Sequence, residues 1–202
     1  MTTKTKTTKP IIFSAPMIRS LLEGRKTQTR RVVKPRLGPQ ASWLKWEGNT
    51  WQANGLIGDI PIEWRSKILY PQYDVGDTLW VRETWAYFGG DEYLYQQDRE
   101  AVMYRATADT DPRLWISCGS PIGDAKWRPS IFMPRWASRI TLEVTEVRCE
   151  RIQSITTEDI IAEGSRNLDA FRGLWEKLNG PRGYGWASSP WVWAYTFKRV
   201  TP

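Results

Sequence analysis

Residues 25–31 read Arg-Lys-Thr-Gln-Thr-Arg-Arg. Arg25, Lys26, Arg30 and Arg31 bring four cations, and Thr27 and Thr29 two hydroxyls, into seven residues. Cations at this density hold anions, phosphate above all. The plainer alternative is a solvated basic strand beside a core helix, because runs of charge are commonly surface. Two further acids stand where elements end. Glu83 follows the apolar run Leu79-Trp80-Val81-Arg82, and Glu163 precedes Gly164.

The stretch needs a scaffold, and residues 10–34 supply one. Ile11, Ile12 and Phe13 form a short apolar run suited to a buried strand. Ser14 caps a helix that Pro16 enters early, where a proline costs little. Met17, Ile18, Leu21 and Leu22 share one helical face, and Gly24 stands where a helix stops. The basic residues come next, and Val32 and Val33 close them off.

Composition narrows the chemistry. The chain has 202 residues, a net charge of +7, thirteen tryptophans and no histidine. The charge favours an anionic partner, with nucleic acid the commonest. Tryptophan stacks on bases, lines slots or fills cores. Without histidine there is no Ser-His or Cys-His pair. Catalysis would have to use Lys, Glu, Asp, Tyr, Thr or Ser, or a metal held by carboxylates. Cys118 and Cys149 match no metal spacing, and no cofactor motif is present. Asp109 and Asp111 lack the glycine and closing glutamate of a calcium loop. No apolar run reaches about 18 residues, so no membrane helix is expected. The opening MTTKTKTTK reads as a disordered polar tail over residues 1–9, and the cytoplasm is the expected location.

Downstream, Leu44-Lys45-Trp46 and Thr50-Trp51-Gln52 predict a hairpin turning at Glu47-Gly48-Asn49. Val75-Gly76-Asp77 predicts a tight turn before a strand at 78–83, with Leu79 and Val81 on one face and Trp80 and Arg82 on the other. Residues 101–106 read as a strand and 108–112 as a loop. Residues 139–148 alternate, with Ile140, Leu142, Val144 and Val147 inward and one slip of phase near Glu146. Ser154 or Thr156 caps a helix ending at Gly164. Asn167 opens another whose buried face is Leu168, Phe171, Leu174, Trp175 and Leu178. Residues 191–200 alternate as a closing strand, with Trp191, Trp193, Tyr195 and Phe197 on one face.

Four features occur in this order: Arg25 to Arg30 after the helix, Val75-Gly76-Asp77 before Leu79-Trp80-Val81-Arg82-Glu83, Ala162-Glu163-Gly164, and the aromatic final strand. Together they resemble the ASCH domain family, whose fold is a PUA-like β-barrel. The tryptophan-rich form resembles ASCH proteins of tailed bacteriophages and prophages. The resemblance implies an α+β fold: a PUA-like mixed β-barrel with short flanking helices and irregular insertions. It would span residues 10–202 as a single domain with insertions at about 36–73 and 86–126. It implies binding of RNA, single-stranded nucleic acid or a modified nucleoside. Arg25, Lys26, Arg30, Arg31 and Arg82 would contact phosphates, and Trp80 and Trp85 would be the recognition aromatics.

Some members similar to this chain hydrolyse N4-acetylcytidine with a lysine, a threonine and a glutamate. By motif these match Lys26, Thr29 and Glu163, with Glu83 a competitor for the acid. The chemistry is feasible without histidine, since a lysine whose pKa is lowered can take the proton of a threonine hydroxyl. Lys26 and Thr29 have opposite parity, however, so one ideal strand would send them to opposite faces. They share a face only if Lys26 still lies in the turn after Gly24, or if a bulge intervenes. Three functions therefore stay open: nucleic-acid or nucleoside binding, an amidohydrolase, and a phage-encoded module that binds a host protein.

Overall fold

A computed structural model describes residues 6–33, 41–47, 50–57, 60–87, 102–110 and 126–200, and for 41–69 the backbone alone. The fold is mixed α+β. Its strands are β1 (Thr8–Ile12), β2 (Gln28–Val32), β3 (Ala41–Glu47), β4 (Thr50–Ile57), β5 (Ile60–Leu69), β6 (Thr78–Arg82), β7 (Trp85–Tyr87), β8 (Val102–Tyr104), β9 (Thr141–Arg151) and β10 (Trp191–Val200). Its α-helices are α1 (Ala15–Leu22), α2 (Thr157–Ala162) and α3 (Leu168–Asn179). The largest sheet has the order β1-β6-β9-β10-β2, with separate sheets β3-β4-β5 and β7-β8. Among the described residues the five-stranded sheet keeps two ends, β1 and β2, and is not closed into a barrel. No helix of the described residues is long and apolar enough to cross a membrane.

The chain divides into two compact units. The first comprises residues 1–26, 76–143 and 198–202. Here β1 pairs with β6 in parallel, Ile12 opposite Arg82, and β6 pairs antiparallel with the start of β9. Pro10 is tolerated because β1 is an edge strand. The expected tail ends before residue 9. Asp77 accepts hydrogen bonds from the Thr7 amide at 3.0 Å, the Thr7 hydroxyl at 2.8 Å and the Lys9 ammonium at 2.8 Å, which anchors the start of β1. Gly76 takes the left-handed φ of 88° that the turn before Asp77 requires. In α1, Ile18, Ser20 and Leu21 are buried, and Ser14 occupies the cap position without a side-chain hydrogen bond. The strand expected at 101–106 is shorter, because Arg105–Thr110 turns as a 3-10 helix where a loop was expected. Trp85, Tyr87, Val102, Tyr104, Met133 and Ala137 form a core cluster with Trp136 against it.

The second unit comprises residues 27–75 and 144–197. The predicted hairpin is present as β3 and β4, with Glu47 opposite Thr50, and β5 adds a third strand. Gly48 and Asn49 of its expected turn lie outside the described residues. β2 pairs antiparallel with β10, Thr29 opposite Tyr195 and Arg30 opposite Ala194. β10 forms over the predicted residues and is buried on both faces from Val192 to Tyr195. Thr156 caps α2 by accepting from the Asp159 amide at 3.2 Å. Asn167 caps α3 by accepting from the Ala170 amide at 2.9 Å. Of the face predicted for α3, Phe171 and Trp175 are buried in a cluster with Ile152, Ile160 and Val192, whereas Leu168 and Leu178 are exposed. The helix is covered along a narrower stripe than its periodicity suggests.

Candidate functional site

In the first unit, α1 ends at Glu23, and Gly24 turns the chain with a φ of 74°. The Arg25 and Lys26 amides both donate to the Ser20 carbonyl, at 2.9 and 3.0 Å. Lys26 therefore lies in the turn and not on β2, so strand alternation does not dictate its direction. Its side chain is 2% exposed, with the ammonium 5.5 Å from the centre of the Phe13 ring. Phe13 follows β1, and its amide donates to the Arg82 carbonyl at 3.3 Å. Arg25 is exposed and pairs with Glu23.

Glu83, immediately after β6, is 2% exposed and bound bidentately by Arg139, at 2.9 Å from Nε and 3.0 Å from an Nη. Burial pushes its carboxyl above the ordinary glutamate range, against the hydrogen bond and charge of Arg139. Arg139 also donates to the Thr107 hydroxyl at 3.1 Å and sits 3.9 Å over the Tyr104 ring. Trp80 and Arg82 share a face as predicted, with the guanidinium 4.5 Å from the indole centre, and Arg135 reaches the same ring at 6.0 Å. Trp85 is core: 2% exposed, edge-on to Tyr87 and Trp136, with Arg128 over its ring at 5.3 Å. It has no free face on which a base could stack, which corrects its expected recognition role. Trp80, at 8% exposure, is likewise too enclosed to serve as a stacking platform.

In the second unit β2 presents two faces. Arg30 is 4% exposed and lies on the side of α2. Its guanidinium donates to Glu150 at 2.9 Å, Asp159 at 2.7 Å, Glu163 at 3.3 Å and the Gln28 side chain at 3.2 Å. Arg148 donates to Asp159 as well, at 3.0 Å. Burial would raise the Asp159 carboxyl, but Arg30 and Arg148 outweigh it and hold the group below its ordinary range. Arg30 is thus saturated by carboxylates, and the phosphate contact expected of it is not open to it. Glu163 caps the C-terminus of α2 as one of those carboxylates and is 9% exposed. The neighbouring Arg31 points to the other face. Burial lowers its guanidinium, while Tyr73, Glu163 and Tyr195 support the charge and Arg182 opposes it. Thr29 shares that face of the strand and is 2% exposed.

Arg139, Arg135 and Asp159 were not singled out from the sequence. Asp159 lies in the first turn of α2, and only its buried partner shows its second role. Cys149 is a free cysteine whose thiol is raised by burial and by Glu150, and Cys118 lies outside the described residues. So do the side chains of Trp43, Trp46, Trp51 and Trp64, on which the expected insertion at 36–73 is built. No family model, curated protein or solved structure matches the chain.

Proposed function

We propose that the chain is a cytoplasmic ASCH-domain protein with a PUA-like fold that binds RNA, single-stranded nucleic acid or a modified nucleoside. The observation that carries this reading is the set of guanidiniums held over aromatic rings in the first unit. Arg82 and Arg135 lie over Trp80, Arg105 over Trp127, and Arg128 over Trp85 and Tyr87. A ring holds a guanidinium in place without cancelling its charge, and a guanidinium's forked donors match phosphate oxygens and base edges. The net charge of +7 supplies the long-range attraction.

Fluorescence anisotropy with a labelled single-stranded RNA tests this. Binding is expected at about 50 mM salt, weakening steeply by about 200 mM. Arg105→Ala, which removes an exposed guanidinium held over Trp127, is expected to weaken it further. Absence of binding to RNA, single-stranded DNA and nucleosides at low salt would sink the proposal.

A second reading is favoured by the burial of both Lys26 and Thr29 and by the raised Glu83 carboxyl. It is an amidohydrolase acting on N4-acetylcytidine-like substrates, the activity in which the family resemblance gives roles to Lys26, Thr29 and a glutamate. Incubation with N4-acetylcytidine should then release cytidine, and Lys26→Ala and Thr29→Ala should abolish it. Comparing Glu83→Gln with Glu163→Gln identifies the acid. Wild-type protein that leaves the acetyl group in place removes this substrate.

A further inference from the structure

We infer that Arg82 and Arg135, arrayed on the Trp80 ring, form a phosphate subsite, an inference that rests on the nucleic-acid reading above. Trp80 and Arg82 come from β6 two residues apart, and so project from the same face. Arg135 comes from a separate 3-10 turn, Arg135–Ala137, entered through extended Pro134. Two elements distant in sequence thus deliver cations to one indole, at 4.5 and 6.0 Å from its centre.

Like charges brought together repel, and the π-face of the indole offsets only part of that repulsion. Two other arginines of the same unit are paired with acids. Arg139 is paired with Glu83, and Arg19 with Asp109 and the Ala106 carbonyl. Among the described residues neither the Arg82 nor the Arg135 side chain has a hydrogen bond or an ion pair. Arg82 Nε is enclosed and without an acceptor, whereas its terminal nitrogens are not enclosed. The half-exposed side chain therefore turns its outer fork to solvent while its stem is held. Arg135 is exposed.

Two planar forks side by side suit a tetrahedral oxyanion with several acceptor oxygens, which a phosphate offers. A carboxylate is already satisfied by one guanidinium, as Glu83 is by Arg139. Trp80 then acts by positioning the two cations, which explains an enclosed ring in a site expected to stack on bases. The phosphate belongs either to the backbone of a single strand or to a free nucleotide.

The test combines two readouts. In the first, NMR follows the Arg82 Nε–H and Trp80 indole N–H signals as inorganic pyrophosphate is added. In the second, anisotropy measures the salt dependence of binding to a 5′-hydroxyl single-stranded RNA. Arg135→Ala carries the test because the residue is exposed, and Arg82→Lys keeps the charge while losing the fork. Arg172→Ala, on the exposed side of α3, is the charge-matched control. Pyrophosphate should shift both signals in the wild type and neither in Arg135→Ala. The salt slope should fall by about 0.7 in Arg135→Ala and stay unchanged in Arg172→Ala. Wild-type behaviour of both Arg135→Ala and Arg82→Lys in both readouts overturns the subsite and leaves RNA binding standing. Pyrophosphate shifts without any RNA binding overturn the nucleic-acid reading and leave an anion subsite. RNA binding whose slope responds to Arg135→Ala assigns the phosphate to the strand backbone. Saturation by a mononucleotide with no effect on that slope assigns it to a free nucleotide.

Discussion

Arg30 and Arg31 are adjacent and chemically identical, yet they have opposite surroundings. Alternation along β2 sends Arg30 toward three carboxylates and Arg31 toward Tyr73 and Tyr195. Removing Arg30 deletes the buried guanidinium that Glu150, Asp159 and Glu163 share, and leaves Asp159 with Arg148. Arg30→Ala is therefore expected to destabilise the protein by about 3–5 kcal/mol, read by chemical denaturation, and Arg25→Ala to change it little. The buried acids also set pH dependences of opposite sign. Asp159 titrates lower in the folded chain than in the unfolded one. The stability it contributes is present above the ordinary aspartate range and is lost as pH falls through its lowered folded value. Glu83 titrates higher when folded. Its contribution is present below the ordinary glutamate range and is lost as pH rises toward its raised value. Denaturation curves recorded from about pH 3 to about pH 8 check both signs. Asp159→Asn should flatten the acid limb, and Glu83→Gln the upper one. The sequence showed that these residues were charged and clustered. It did not show which cation met which acid, because Arg30 and Asp159 are 129 positions apart.

At the scale of elements, the local signals were largely legible. Gly24 ends α1 and Gly164 ends α2, both with positive φ, and Thr156 and Asn167 cap α2 and α3 as their types suggest. A Cβ at Gly24 would meet nothing within 4 Å, so the cost of Gly24→Ala is purely that of the left-handed backbone. It is expected to be about 1–2 kcal/mol, with Gly24→Asn milder because asparagine tolerates this region. Thr156→Ala and Asn167→Ala should each cost about 0.5–2 kcal/mol. Thermal or chemical denaturation of the variants measures both sets. The buried face of α3 was read less well. Period-2 and period-3.6 patterns show which residues share a face but not how many faces a neighbour covers. Tertiary contact left Leu168 and Leu178 of α3 in solvent.

Over the whole molecule, the net charge and the aromatic count raised the expectation of an anionic partner, and local patterning named the strands and helices. β10 is interior to the five-stranded sheet and buried on both faces, so its amides should exchange slowest with solvent. Hydrogen exchange is expected to show Val192–Tyr195 protected well beyond β1, whose outer edge is open, and equal protection would contradict that order. The turn after Gly24 was visible in the residues, and the structure confirms that Lys26 lies within it. The sequence alone determined the elements, their caps, the basic stretch and the absence of histidine. These depend on residue type and on neighbours a few positions away. Only the tertiary structure decided that Arg30 is an internal counter-ion, that Trp85 is core and that Trp80 carries two guanidiniums. Burial and charge pairing arise between segments far apart in the chain, and nothing in local spacing encodes which of them meet.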